Sequence, residues 1–204
     1  MKPEKKKLNF FLDVDGTLLP VGKGVPESAE KALEKAKALG HRLFFCTGRS
    51  RNELSEKVKY LPFDGGVFSA GACVMFHNRI IMQKYASNEQ KKLFFEAVDK
   101  YNLLCFSQGP EATYTTEEAV DFYNFLTRSI YSGTTDLEGF RLVSRFPDDV
   151  PLIKSYIMSK EGRVLEARRA LEGPFHCVNN TTGLPEINAA EVMVAGISKG
   201  FGME

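Results

Sequence analysis

The most constraining stretch of this chain lies near its start, where a short apolar run (residues 8–12, LNFFL) stops abruptly at Asp13-Val14-Asp15-Gly16-Thr17. A nearly continuous apolar run of this length reads as a strand buried on both faces, the kind found in parallel sheets. A helix pattern follows. Pro26 suits a first helical position, Ala29, Ala32, Leu33 and Ala36 recur at helical spacing, and Gly40 falls where a left-handed C-terminal cap belongs. A second apolar run, residues 43–46, ends in Thr47-Gly48-Arg49-Ser50. Ser50 and Glu53 make an S-x-x-E capping box for a second helix carrying Leu54, Val58 and Leu61. Strand, helix, strand, helix implies an α/β parallel sheet with right-handed crossovers.

In such a unit both strands end at the same edge of the sheet, and ligands bind in the crevice there. The carboxylates of Asp13 and Asp15, the Thr47 hydroxyl and the glycines Gly16 and Gly48 therefore converge. Two residues apart in extended chain, Asp13 and Asp15 project to one side. Gly16 permits a sharp turn, and backbone amides beside it can face an anion. Asp and Gly favour turns in any case. The motif gains meaning from its setting between buried strands, with a helix and a T-G-R end opposite.

Beyond Gly66 the pattern changes. Short strands are expected at residues 67–69, 72–76 and 80–82, then a helix from Ser87 burying Leu93, Phe94, Ala97, Val98 and Tyr101. A strand at 103–107, a helix at 116–130, a loop at 132–139, a strand at 153–158, a helix at 163–171 and a strand at 175–178 follow. Residues 86–182 thus read as an α+β unit inserted into a first unit made of residues 1–85 and 183–204. Its aromatic residues Phe122, Tyr123 and Tyr131 are expected to pack in its own core.

Composition narrows the function classes. With 43% hydrophobic residues, 16 Phe and 7 Tyr, the chain is not a disordered tail. Lys and Arg number 27 against 26 Asp and Glu, and a net charge of +1 exerts no long-range pull on nucleic acid or anionic membrane. No window approaches the roughly 18–20 apolar residues of a membrane span. The N-terminal apolar run is broken by Asp13 and Asp15, unlike a signal peptide, so a cytoplasmic chain is expected. Cys46, Cys73, Cys105 and Cys177 contain no C-x-x-C pair, which argues against a zinc ribbon, a redox motif or a disulfide framework. His41, His77 and His176 show no metal-ligand spacing.

DVDGTLL and FFCTGRS resemble the first and second motifs of the haloacid dehalogenase-like (HAD) superfamily. The arrangement is similar to its Cof-type subfamily, which carries an α+β cap between the second and third motifs, and Lys199 in Gly196-Ile197-Ser198-Lys199-Gly200 resembles the third-motif lysine. The resemblance implies a Rossmann-like core and a Mg²⁺-dependent phosphomonoester hydrolase acting on small phosphorylated metabolites, sugar phosphates among them. On that resemblance Asp13 is the nucleophile that forms an aspartyl-phosphate. Asp15 is the general acid and then the base. Thr47 binds phosphoryl oxygens, Lys199 offsets negative charge, and Mg²⁺ sits on Asp13 and the backbone carbonyl of Asp15. Gly16, Gly48 and Arg49 face the substrate, with Arg49 open between substrate contact and a structural ion pair. Asp15 sets the chain apart from dehalogenases and P-type ATPases, which lack an Asp at this position. A phosphomutase shares the same nucleophile and is the enzymatic alternative.

The family's fourth motif, an acidic G-D-x-x-N-D-like loop, has no counterpart. Five residues follow Lys199, the last of them Glu204, and Asp64 and Asp148-Asp149 stand in the wrong places. Two expectations follow: a fragment of a longer phosphatase, its first strand left with one unpaired apolar edge, or an inactive binding or scaffold form.

Overall fold

The computed structural model describes residues 6–20, 23–129, 137–179 and 183–204. The opening pattern produces β1 (Asn9–Leu12), α1 (Glu27–Ala38) and β2 (Arg42–Cys46), with β1 and β2 parallel and Leu12 opposite Phe45. β3 (Gly65–Phe68) joins β2 in parallel, and β4 (Cys73–Phe76) and β5 (Arg79–Gln83) extend the sheet antiparallel in the order β1-β2-β3-β4-β5. Leu33 of α1 packs on Leu43 and Phe45 of β2, together with Leu54 and Val58. The helix expected after Ser50 is broken. A 3₁₀ turn at Arg51–Glu53 and a one-turn α2 (Glu56–Lys59) replace it, because Leu54 and Ser55 are extended. Leu54 and Val58 are buried all the same.

β1 departs from its expected burial on both faces. Among the described residues it is an edge strand paired with β2 alone, and Phe10 and Phe11 are each 39% exposed. Apolar content cannot tell a central strand from an edge. On one face Phe11 stacks on Phe44 at 5.0 Å between ring centroids, and Phe44 on Phe76 at 6.0 Å. This aromatic row crosses the sheet from β1 to β4.

The second unit comprises α3 (Asn88–Lys100), β6 (Leu103–Gln108), β7 (Thr113–Thr115), α4 (Glu117–Thr127), β8 (Phe140–Leu142), β9 (Lys154–Ser159), α5 (Val164–Leu171), β10 (Phe175–Asn179) and β11 (Ala189–Val194). Its sheet runs β10-β11-β9-β6-β7-β8 and is antiparallel except for β7 beside β8. Phe94 and Ala97 of α3 and Val164, Ala167 and Leu171 of α5 form one core with Ile157 and Val192. Ala119, Phe122 and Tyr123 of α4 join Phe106 and Met158 in another. Tyr131 and most of the expected 132–139 loop lie outside the described residues. The return to the first unit comes later than residue 183. β11 pairs with both β9 and β10, and Ala189, Ala190, Val192 and Met193 bury their side chains there. α6 (Lys199–Met203) closes the order and packs against the turn that follows β3. Among the described residues, no helix is long and apolar enough to cross a membrane.

Asp64, just before β3, fastens the first unit together. Its carboxylate accepts from Lys37 Nζ at 2.6 Å and from the Leu43 N–H at 2.9 Å, tying the end of α1 to the start of β2. Burial raises its pKa, but the Lys37 ammonium and the Leu43 amide outweigh this and hold it below its ordinary 3.8. A carboxylate depressed in the folded state stabilises above its unfolded pKa, and that contribution is lost as pH falls through the folded value. Asp64→Asn should therefore cost about 2 kcal/mol at neutral pH. In urea unfolding the gap between variant and parent should close below a pH of about 4.

Candidate active site

The register of β1 on β2 sets Asp13 beside Cys46, one residue short of Thr47, at a common sheet edge. Val14 is fully buried, and its carbonyl accepts the amides of Leu18 and Leu19, so the chain doubles back at once. Gly16 takes φ +74 in this turn. Its amide donates to the Leu19 carbonyl at 2.9 Å. The turn's own closure consumes that N–H.

Four predicted side chains gather here in two ion pairs. Asp13 Oδ2 meets Lys199 Nζ at 2.6 Å, while Asp13 Oδ1 accepts the Val14 N–H at 2.8 Å. Arg49 grips Asp15 through two bonds, Nη2 to Oδ1 at 2.7 Å and Nε to Oδ2 at 3.0 Å. Of the two roles open to Arg49, the structure shows the ion pair. Burial works against its charge, but the hydrogen bond and charge of Asp15, with Glu53 nearby, raise its pKa on balance. Thr47 is fully buried behind them, and its Oγ1 accepts the Arg49 N–H at 3.1 Å. Burial also pushes the neighbouring Cys46 thiol up, with Lys199 opposing and Asp13 reinforcing the shift.

One strained turn fixes the third and fourth parts of this constellation. After β3, Ser69 and Ala70 take φ +51 and +56, and Gly71 takes φ +110. The Ser69 amide donates to the Arg49 carbonyl at 2.8 Å and the Ala70 amide to the Thr47 carbonyl at 3.0 Å. A Cβ on Gly71 would stand 1.9 Å from the Ser198 carbonyl oxygen. The turn therefore braces the Thr47–Arg49 loop on one side and seats Lys199 on the other. Left-handed Ser and Ala are uncommon, and such strain concentrates at functional sites.

The second unit reaches the same loop. The Gly48 carbonyl accepts from Lys154 Nζ at 3.1 Å and from Gln108 Nε2 at 3.2 Å. Lys154 is 7% exposed and pairs with Glu191, 14% exposed, at 2.5 Å. Among the described residues no three His, Cys, Asp or Glu side chains gather in a metal-binding cluster. Asp13 and Asp15 supply the carboxylate oxygens of the two ion pairs at this edge.

A family profile described as haloacid dehalogenase-like hydrolase matches residues 10–204. The chain belongs to this family. In Bacillus subtilis (strain 168), YkrA, whose name marks it as a proposed phosphatase, is 33% identical over 75 residues, 37% of this chain and 29% of that protein. The match thus spans less than a third of that curated relative. A haloacid dehalogenase-like hydrolase from B. subtilis superposes with a TM-score of 0.77 at 19% identity, covering 97% of this chain and 76% of that one. A HAD/COF-like hydrolase from Plasmodium vivax gives 0.77 at 20% identity over 99% and 73%. The subclass IIB sugar phosphatase BT4131 gives 0.72 at 21% identity over 97% and 74%. These likenesses establish a Rossmann-like core of the HAD type.

Within this HAD-like hydrolase, sequence reasoning missed Gly71, Gln108, Lys154 and Glu191. The one available signal was a lysine inside the apolar strand at 153–158, which demands a buried partner. Gly71→Val should drive the Ser198 carbonyl away and misplace Lys199, lowering stability in urea unfolding by about 1–3 kcal/mol. A Gly71→Val protein as stable as its parent would contradict this close approach of the Ser198 carbonyl.

Proposed function

We propose that this HAD-like hydrolase is a phosphatase that transfers the phosphoryl group of small phosphorylated metabolites to Asp13 and then to water. The observation carrying the reading is the Asp13–Lys199 pair, which leaves the Asp13 carboxylate 42% exposed at the sheet edge. An accessible carboxylate beside a fixed ammonium suits attack on an anionic phosphate, since the cation offsets charge on both partners.

Asp13 attacks phosphorus as the bond from phosphorus to the leaving oxygen breaks, and Asp15, protonated on one oxygen with the other kept on Arg49, gives the leaving oxygen its proton. Water then attacks the phosphorus of the aspartyl-phosphate while Asp15 takes up the water's proton, and Asp13 is released as carboxylate. The Thr47 hydroxyl accepts from the Arg49 N–H and keeps its own proton to donate to a phosphoryl oxygen. Lys199 balances charge throughout.

The donor set suits Mg²⁺, a hard cation that takes oxygen ligands and keeps waters and substrate phosphate in its shell. Asp13 and the backbone carbonyl of Asp15 would hold it, and when bound it supplies charge neutralisation at the phosphate. The second unit acts as the cap, since Gln108 and Lys154 bring it onto the Gly48 carbonyl beside the site. A crevice covered in this way selects small substrates. The likeness to the sugar phosphatase BT4131 supports sugar phosphates as the first compounds to try.

With Mg²⁺ present, p-nitrophenyl phosphate should release phosphate, and Asp13→Asn should lower the rate about a thousandfold or more. Undiminished release by Asp13→Asn would overturn the nucleophile assignment.

A further inference from the structure

Glu53 stands on the 3₁₀ turn between the Thr47–Arg49 loop and α2, and its two ends face different units. Its Oε2 accepts the Ser50 N–H at 2.7 Å from the first unit and Gln108 Nε2 at 2.9 Å from the second. Its Oε1 accepts Thr113 Oγ1 at 2.5 Å, again from the second unit. Its backbone carbonyl accepts Arg49 Nη1 at 3.2 Å, and the same guanidinium holds Asp15 in a two-bond grip. An unbroken hydrogen-bonded path therefore runs from Thr113 and Gln108 through Glu53 and Arg49 to Asp15.

The two units are also in close contact around this point. Gly139 has φ +80, and a Cβ there would lie 2.2 Å from the Asn52 carbonyl oxygen and 3.0 Å from the Glu53 nitrogen. Asn52 Nδ2 donates to the Pro110 carbonyl at 3.2 Å, and Lys59 pairs with Glu138 at 3.1 Å. Gln108 and Thr113 are both buried, whereas Asp15 and Arg49 are partly open to solvent. Hydrogen bonds to an ionised carboxylate are stronger than those between neutral groups. Separation of the units would strip Glu53 of both second-unit donors at once and leave its turn held by the first unit alone.

We infer that Glu53 is a positioning residue that couples seating of the second unit to the placement of Arg49 on Asp15, so that closure of the cap and alignment of the acid–base carboxylate occur together. The inference rests on the proposed role of Asp15, but its physical core, the coupling, can be read without turnover. Arg49 Nε–H is the reporter, because it donates to Asp15.

The test is ¹⁵N NMR of the arginine Nε–H signals in the full chain, with the Arg49 signal assigned by its loss in Arg49→Lys. Thr113→Val removes one hydroxyl without changing side-chain volume, and Thr113→Val with Gln108→Leu removes both second-unit donors. Relative to the parent, Nε–H exchange with solvent should accelerate about tenfold in the single variant and further in the double. Thr113→Ser, which restores the hydroxyl, should return the parent value. If the double variant fails to fold, the single variant and its serine rescue carry the test. Phosphate release is measured on the same proteins and should fall in kcat more than it rises in KM. An Arg49 Nε–H as labile in the parent as in the variants, or unmoved in all of them, overturns the coupling whatever the activity. A signal that follows Thr113 while no form releases phosphate leaves the coupling standing and removes the catalytic reading of Asp15.

Discussion

The contact between Asp13 Oδ2 and Lys199 Nζ joins residues 186 positions apart, across the whole second unit. Its members are 42% and 37% exposed, so as a surface pair it contributes only about 0–1 kcal/mol to stability. Other features do the work of holding it. β1 delivers Asp13 to the sheet edge, Val14 anchors the turn in the core, and Gly71 admits the Ser198 carbonyl at a distance that no side chain would tolerate. The scaffold sets the charges in place before any phosphate arrives, which is the condition under which electrostatic stabilisation counts most.

Legibility in the sequence followed the range of each interaction. The D-x-D-G-T and T-G-R ends could be read because strand periodicity and turn chemistry are local. Lys199 emerged only by resemblance, since no local pattern marks a lysine whose partner lies 186 residues away. Arg49 stayed open because sequence cannot say whether a guanidinium turns to Asp15 or to a ligand. The sharp turn at Gly16 is legible from its residue type and is present at φ +74, whereas the closing bond from its N–H to Leu19 is not. The capping box of Ser50 and Glu53 is legible in the sequence and present in the structure, where Glu53 takes the Ser50 amide. Its remaining carboxylate capacity goes to Thr113 and Gln108, which only tertiary packing brings near. β11 was missed because its short residues Ala189 and Ala190 carry little strand signal until β9 and β10 flank them.

The second unit touches the site through polar groups of low exposure. Lys154 and Glu191 neutralise one another at low exposure, where removing either partner would strand a buried charge at a cost of about 3–5 kcal/mol. Lys154 also grips the Gly48 carbonyl, so the pair fixes the Thr47–Arg49 loop from above while the Ser69–Gly71 turn fixes it from below. By contrast, the aromatic row of Phe11, Phe44 and Phe76 and the open edge of β1 lie in the first unit, where apolar surface remains partly exposed.

The proposed chemistry turns on a covalent bond between Asp13 and phosphorus. Rapid acid quench during turnover, followed by borohydride reduction and peptide mass spectrometry, converts an acyl-phosphate into homoserine at the position that carried it. Homoserine at position 13 and nowhere else is the predicted result. Sustained phosphate release with unmodified Asp13, or with the label on a different carboxylate, would contradict the assignment.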